Sequence, residues 1–404
     1  MGRIGIYGGT FNPPHRGHMQ AARQAVELLN LDKLLLIPDN CPPHKTMPEG
    51  TPSALDRLEL VRLAAREIPR AEASDLELLR EGRSYTADTM ELLHGTYSGD
   101  ELFLLMGTDM FLAFPQWRGP EKICRYATLV VMLREQEEPK LQQELQAQAQ
   151  HIRKKLDGKV KFLKNEALPM ASTDVRRMLT FQAVGDMLPP SVLERIRTFG
   201  FYGVGRDLRG LPMEQLEAEV IRLLDPKRVP HVLGCRDTAA KLAKQYGANV
   251  TDAARAGLLH DVTKALPPEL QLQLCREYGI PLDPFNRDNP KTLHATTGAW
   301  VARRIFGEND AVFEAIASHT TGCGHMNPLQ KIIYIADYME PNRDFPGVER
   351  LRAAVDRDLD RAVLLGLEMT VEMLRHQGRR VARDSLEAIE SLRAGCAQSS
   401  GKGN

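Results

Sequence analysis

Cysteine is sparse and scattered. The six residues Cys41, Cys124, Cys235, Cys275, Cys323 and Cys396 include no C-x-x-C pair in 404 positions. That excludes a disulfide framework and a zinc ribbon, and fits a reducing compartment, the cytoplasm. Cys323, in "HTTGCGH", reads as a small loop thiol beside two histidines. Neither sign of charge is in excess, since 53 basic and 53 acidic residues give a formal net charge of +0. A general electrostatic grip on nucleic acid or anionic lipid is therefore not expected, and phosphate chemistry must come from local clusters. No window reaches the ~18 uncharged apolar residues of a membrane span. The first residues lack the basic and apolar regions of a secretory leader. A Walker phosphate loop, a G-x-G-x-x-G fingerprint and a solenoid-length repeat are all missing.

What is present divides in two. From Arg3 to about Phe201, short apolar runs ("RIGIY", "KLLLIPD", "LFLLMG", "TLVVML", "KVKFL") alternate with helical patterns such as "SALDRLELVRLAAREI". In "GHMQAARQAVELLN", Met19, Ala22, Val26 and Leu29 share one helical face. Strand, loop, helix, strand predicts βαβ units, with their loops at the carboxyl edge of a parallel sheet. Glycine-rich 204–212 breaks the pattern and reads as a linker between a domain at 1–203 and another at 213–393. The second half favours helical spacing throughout and predicts an all-α domain. There "KIIYIA" reads as buried helix despite its β-propensity, and 394–404 as a flexible polar tail.

The stretch "GGTFNPPHRGH", Gly8 to His18, follows the first strand directly. Gly8 and Gly9 let a ligand approach without interference from a Cβ. Helix initiation near Gly17 turns unpaired amides, at the positive end of the dipole, toward an anion. His15 and His18 sit at that end and can donate to phosphate oxygens, while Pro13 and Pro14 stiffen the loop. The pattern suits nucleotidyl transfer, in which charge builds on departing pyrophosphate and positioned donors do the catalysis. Farther on, Ser172 in "STDVRR" reads as an N-cap with Asp174 in the first turn, another helix start facing an anion, and Arg176 falls one turn along.

The helical half carries "LLHDVTK", which places His260 beside Asp261 and Lys264 one turn later. His231, His294, His319 and Asp337 lie on other helices. Taken singly, each histidine is an ordinary core or surface residue. Together the H…HD…H…H…D order points to one metal site, and His/Asp mixtures suit iron, manganese, cobalt or zinc. Asp337 interrupts an apolar helix, an expensive place for a carboxylate unless a cation meets it. A held ion lowers the pKa of water and polarises a phosphoryl oxygen, and Lys264 could steady the leaving phosphate.

Two resemblances attach to these motifs. "GGTFNPPHRGH" resembles the signature of the bacterial nicotinate-nucleotide adenylyltransferases, within the superfamily that carries His-x-Gly-His. The resemblance spans roughly the first half and implies a Rossmann-like α/β parallel-sheet nucleotidyltransferase domain. "PPHK" then implies a phosphate contact by Lys45, and "RSYTADTM" contacts from Thr86 to the nicotinate nucleotide. "GTD" implies a nucleotide loop at Gly107 and Asp109, and "FPQW" a tryptophan, Trp117, near the pyridine ring. "ASTDVRRML" resembles the element whose Ser172, Thr173 and Arg176 hold triphosphate oxygens. Ala171 stands there where the family often has serine. Gly8, Gly9, Thr10 and Phe11 complete the implied nucleotide loop. The reaction implied is AMP transfer from ATP to nicotinate mononucleotide, with Mg²⁺ riding on the triphosphate, since magnesium commonly uses substrate oxygens.

The second half resembles the HD-superfamily phosphohydrolases. Through "HTTG" and "ADYMEPNRDFPGVERLR" it resembles, more narrowly, the bacterial symmetrical bis(5′-nucleosyl)-tetraphosphatases. That implies an ion, commonly iron, on His231, His260, Asp261 and Asp337. His294, His319, Lys264 and Arg343 then face the polyphosphate, or the two histidines bind a second metal. His325 matches no ligand position and reads as a loop residue. The expectation is a bifunctional enzyme acting on ATP, nicotinate mononucleotide and diadenosine tetraphosphate. The alternative is a helical half that senses nucleotides or hydrolyses another one. No nucleic acid or membrane partner is expected, and a homo-oligomer is left open.

Overall fold

The computed structural model describes residues 1–40, 47–80, 84–133, 138–164, 166, 168 and 170–401. The chain divides into two compact units, Met1–Arg206 and Asp207–Asn404.

Among the described residues the first unit is built on six parallel strands: β1 (Arg3–Gly9), β2 (Lys33–Pro38), β3 (Ala71–Ala73), β4 (Glu101–Gly107), β5 (Ala127–Leu133) and β6 (Val160–Lys164). Their order across the sheet is β3-β2-β1-β4-β5-β6. Ile6 pairs with Leu35 on one side and Leu104 on the other. Central strands such as "LLLIP" are buried along their length, because helical crossovers cover both faces. Met19, Ala22, Val26 and Leu29 are buried, as the periodicity of the first helix predicts. The order reverses between β1 and β4. The crevice outside their carboxyl ends is the switch point at which open α/β sheets bind ligands, and Gly8–Gly9 and Gly107 both end there.

In the second unit no strand occurs among the described residues; helices carry His231, His294 and Asp337, whereas His260 and Asp261 lie just past the helix Val250–Leu259, and His319, expected on a helix, lies just past Asp310–Ser318. Short polar caps start them: Asn249 accepts from the Asp252 amide, Asn309 from Val312, and Asn327 shares a reciprocal pair with Gln330. That last cap, with Pro328 at the first position, sets "KIIYIA" into the helix Pro328–Met339. The helix Arg383–Gly401 includes most of the segment that reads as a polar tail.

The helices Val229–Tyr246 and Val250–Leu259, which lead to His231 and His260, approach closely at Gly257. A Cβ there would stand 2.9 Å from Arg236 Cα and 3.1 Å from the Cys235 carbonyl oxygen. Both are backbone atoms that cannot yield. Gly257→Ala is expected to destabilise the second unit by about 1–3 kcal/mol, as overpacking does. The denaturation midpoint checks this, and an unchanged midpoint would contradict the close packing.

Candidate active sites

At the switch point, His15 caps the helix Arg16–Leu28 and exchanges bonds with His18. The His18 amide donates to His15 Nδ1 at 3.4 Å, and the His15 amide donates to His18 Nδ1 at 3.3 Å. The rings stack with centroids 3.7 Å apart. An imidazole that accepts at Nδ1 while neutral carries its proton on Nε2, so each ring presents one N–H. Burial, then the neighbouring His18, holds His15 well below the usual histidine pKa, and loss of hydration pushes His18 down to about 4.

The unfolded chain protonates these rings near ~6.5. Their contribution to stability is therefore present above that pH and lost as pH falls toward about 4. His18→Gln is expected to give a shallower acid decline in the first unit's melting midpoint than the parent. An identical decline would show that His18 is not held neutral.

The sequence expects free first-turn amides here, and the structure corrects that for two of them. The Arg16 amide donates to the Met187 carbonyl at 2.9 Å, and the His18 amide is taken by the imidazole. Any anion therefore meets side-chain donors rather than these two amides. A second correction concerns Ser172. The N-cap of the helix Ser172–Thr180 is Ala171, and the Ser172 hydroxyl instead donates to the Pro13 carbonyl at 3.3 Å. Arg176 Nη1 donates to the Asn12 carbonyl at 2.6 Å and Nη2 to Thr173 Oγ1 at 3.1 Å. Ser172, Thr173, Arg176, His15 and His18 thus gather around one loop.

A Cβ on Gly8 would meet nothing within 4 Å, whereas one on Gly9 would lie 3.5 Å from the Phe11 ring. Phe11 packs edge-on against His18 and Tyr7. Thr10 Oγ1 donates to Asp39 at 3.1 Å. Gly107 caps the helix after β4, and Asp109 raises the Tyr7 pKa, after burial, to about 12. Trp117 packs on Phe114, and Thr86 opens the helix Thr86–Thr96, next to the Trp117 segment. There a Cβ on Gly119 would stand 3.3 Å from that of Ala87. Lys45 lies outside the described residues.

The second unit brings all six separated ligand candidates together. His231 Nε2 is 3.2 Å from Asp337 Oδ1 and 3.6 Å from Asp261 Oδ2, and His260 Nε2 is 3.4 Å from the same Asp261 oxygen. The other oxygen of Asp261, Oδ1, faces His294 Nε2 at 3.4 Å and His319 Nε2 at 3.8 Å. Each imidazole is fixed from behind through Nδ1: His260 by the Gly257 carbonyl, His294 by Lys291 and His319 by Ile316, each at 2.7 Å, and His231 by Glu340 at 3.1 Å. Those partners only accept, so each Nδ1 holds a proton and the Nε2 atoms converge on the carboxylates; Asp261 and Asp337 overcome burial and raise the pKa of His231, and Asp261 that of His260.

Burial pushes His294 and His319 down to about 3 and about 4, keeping both neutral. It opposes the charge on Asp261, but His260 and His231 outweigh it and hold that carboxyl well below its usual range. Within two sets, His231–His260–Asp337 and His260–Asp261–His319, the ligand atoms all lie within 4.8 Å of one another. Bonds of ~2.1 Å to an ion give neighbouring ligands separations of this order, so the donor set fits a divalent cation.

Lys264 Nζ reaches His294 Nε2 at 3.0 Å, and Arg343 Nη2 reaches Asp337 Oδ1 at 2.6 Å. His325 lies in a loop with φ 56°, and its amide donates to Ser391.

Three residues escape the motifs. Arg228 Nε donates to Asp261 Oδ2 at 2.5 Å. Glu340 backs His231. In the first unit, fully buried Arg57 spans the loops after β1 and β2, donating to the Thr10, Asp39 and Asn40 carbonyls at 2.8, 2.7 and 3.0 Å. All three read as solvated charges in amphipathic or loop sequence. Only the "ADYMEPNR" context marks Glu340.

The parallel sheet with its site at the switch point, and the helical cluster of histidines and aspartates, define a nucleotidyltransferase domain followed by an HD domain. Residues 6–178 match the cytidylyltransferase-like family and residues 228–342 the HD domain family. A relative from Neisseria meningitidis serogroup C, described as a "probable nicotinate-nucleotide adenylyltransferase", is 34% identical over 203 residues, covering 50% of this chain and 99% of its own. One of the same description from Pseudomonas syringae is 37% identical over 209 residues, covering 50% and 93%. The chain belongs, through its first unit, to the nicotinate-nucleotide adenylyltransferase family. A solved structure from Clostridium acetobutylicum, described as a "predicted HD superfamily hydrolase involved in NAD metabolism", is 36% identical. It covers 46% of this chain and 98% of that one, with a TM-score of 0.44. No helix among the described residues is long and apolar enough to cross a membrane.

Proposed function

We propose that the first unit transfers AMP from ATP to nicotinate mononucleotide, giving nicotinate adenine dinucleotide and pyrophosphate. The observation that carries this reading is the His15–His18 pair at the switch point of a chain in this family. A 5′-phosphate oxygen attacks the α-phosphorus, the bond to the bridging oxygen breaks, and charge grows on the departing pyrophosphate. The two Nε2–H groups donate to that charge, Ser172 and Thr173 hold triphosphate oxygens, Arg176 neutralises them, and Lys45 contacts phosphate. Gly8, Gly9, Thr10, Phe11, Gly107 and Asp109 seat the nucleotide, and Thr86 and Trp117 the pyridine ring. Catalysis is positioning and charge neutralisation without a covalent nucleophile. Mg²⁺ enters with ATP. Pyrophosphate release from ATP should require nicotinate mononucleotide. No release with it, or with the nicotinamide analogue, sinks the reading.

The second unit is read as a metal-dependent phosphohydrolase that cleaves diadenosine tetraphosphate to two ADP. The support is the division of the Asp261 oxygens between two imidazole pairs. His231, His260, Asp261 and Asp337 would hold one ion, iron first among candidates with manganese or cobalt as alternatives, and His294 and His319 a second ion or the substrate. When bound, such an ion polarises a phosphoryl oxygen and lowers the pKa of water. Lys264 and Arg343 offset polyphosphate charge. Chromatography of the products decides: ADP alone supports the symmetrical cut, whereas AMP with ATP, or no turnover with any of these metals, overturns it.

A further inference from the structure

We infer that Glu340 is a positioning residue for the metal centre: it sets the orientation and basicity of His231, and Gly234 is glycine to admit it. This rests on reading the histidine–aspartate cluster as a metal site. Among the four imidazoles, His231 has a carboxylate behind Nδ1, a stronger acceptor than the carbonyls behind the other three. Glu340 is 1% exposed, an expensive place for a carboxylate unless its oxygens are used.

Both oxygens are used. Oε1 accepts from His231 Nδ1 at 3.1 Å. Oε2 accepts from the Asn342 backbone amide at 2.7 Å and from Asn342 Nδ2 at 2.9 Å. Asn342 Nδ2 also donates to the Pro230 carbonyl at 3.0 Å, fastening this turn to the residue before His231. Asp337 lies three residues before Glu340 and reaches the opposite ring nitrogen, so one stretch of chain grips the imidazole at both ends. Gly234 lies three residues after His231, and a Cβ there would collide with Glu340 Oε2 and stand 3.0 Å from Asn342 Nδ2. A side chain at 234 would drive the carboxylate off His231. Partners behind a metal-bound histidine typically change metal affinity by about 10–100-fold.

The test is calorimetric titration of Mn²⁺ into the metal-stripped full chain, with melting of the metal-free form alongside. Glu340→Gln keeps the shape and an acceptor oxygen while removing the charge. It is expected to weaken Mn²⁺ binding about 10-fold or more, with little change in the metal-free melting midpoint. Gly234→Ala, with Glu340 in place, is expected to weaken binding by a similar factor. The double variant should bind no more weakly than the worse single one, because both changes act on one contact. Variants that bind Mn²⁺ like the parent overturn the inference, and so do losses that multiply in the double variant. Failure of the parent itself to bind Mn²⁺ overturns the metal reading instead.

Discussion

His18→Ala is expected to slow adenylyl transfer by about 10²–10³, equivalent to ~2.7–4 kcal/mol of transition-state stabilisation. His18 is the third residue of its helix, and its Nδ1 is engaged by the His15 amide, so the proton on Nε2 is the group removed. Because the charge it meets grows during the reaction, the loss should fall on kcat more than on KM for ATP. Folding should survive. The His15 amide loses its acceptor, a change of roughly 1 kcal/mol by analogy with capping bonds, and His15 still caps the helix. Steady-state kinetics on the folded variant checks this, and a rate close to the parent's would remove His18 from the mechanism.

Asp261→Ala should reduce hydrolysis of diadenosine tetraphosphate to background while leaving adenylyl transfer at the parent rate. Asp261 is 1% exposed and its two oxygens serve four imidazoles. Removing it takes a ligand from the described cluster and leaves Arg228 beside buried rings without their counter-charge. Breaking a buried ion pair from one side costs about 3–5 kcal/mol, so the second unit could melt for reasons unrelated to chemistry. Asp261→Asn, which keeps the shape, guards against that: it should stay folded, lose hydrolysis and retain less metal. Transfer belongs to a different compact unit and should be unaffected. Equal loss of both activities in a folded Asp261→Asn protein would point to one shared site.

Much of this was legible because strand runs and ligand types are local features. Five of the six strands announce themselves as apolar runs. The sixth, β3, is only Ala71–Ala73, too short and too poor in β-branched residues to register, and exists because β2 offers a parallel edge. The histidines and aspartates of the second site were readable as a set. How Asp261 divides its oxygens was not, since that depends on where helices far apart in sequence converge. Arg57 reads as one more charge on an amphipathic helix until loop carbonyls close over it. Ser172 fits an N-cap by type, yet its hydroxyl finds the Pro13 carbonyl, 159 positions away. Local propensity cannot foresee such a competitor.

The histidines of the two candidate sites are wired in opposite senses. In the first, backbone amides point at Nδ1; in the second, carbonyls and one carboxylate do. One residue type is thereby given two polarities, a proton-bearing face that welcomes anions and an electron-pair face that welcomes cations. A transition ion supplied in excess should therefore leave the His15–His18 pair untouched, and exchanging the group behind a ring would exchange the sign of what it attracts.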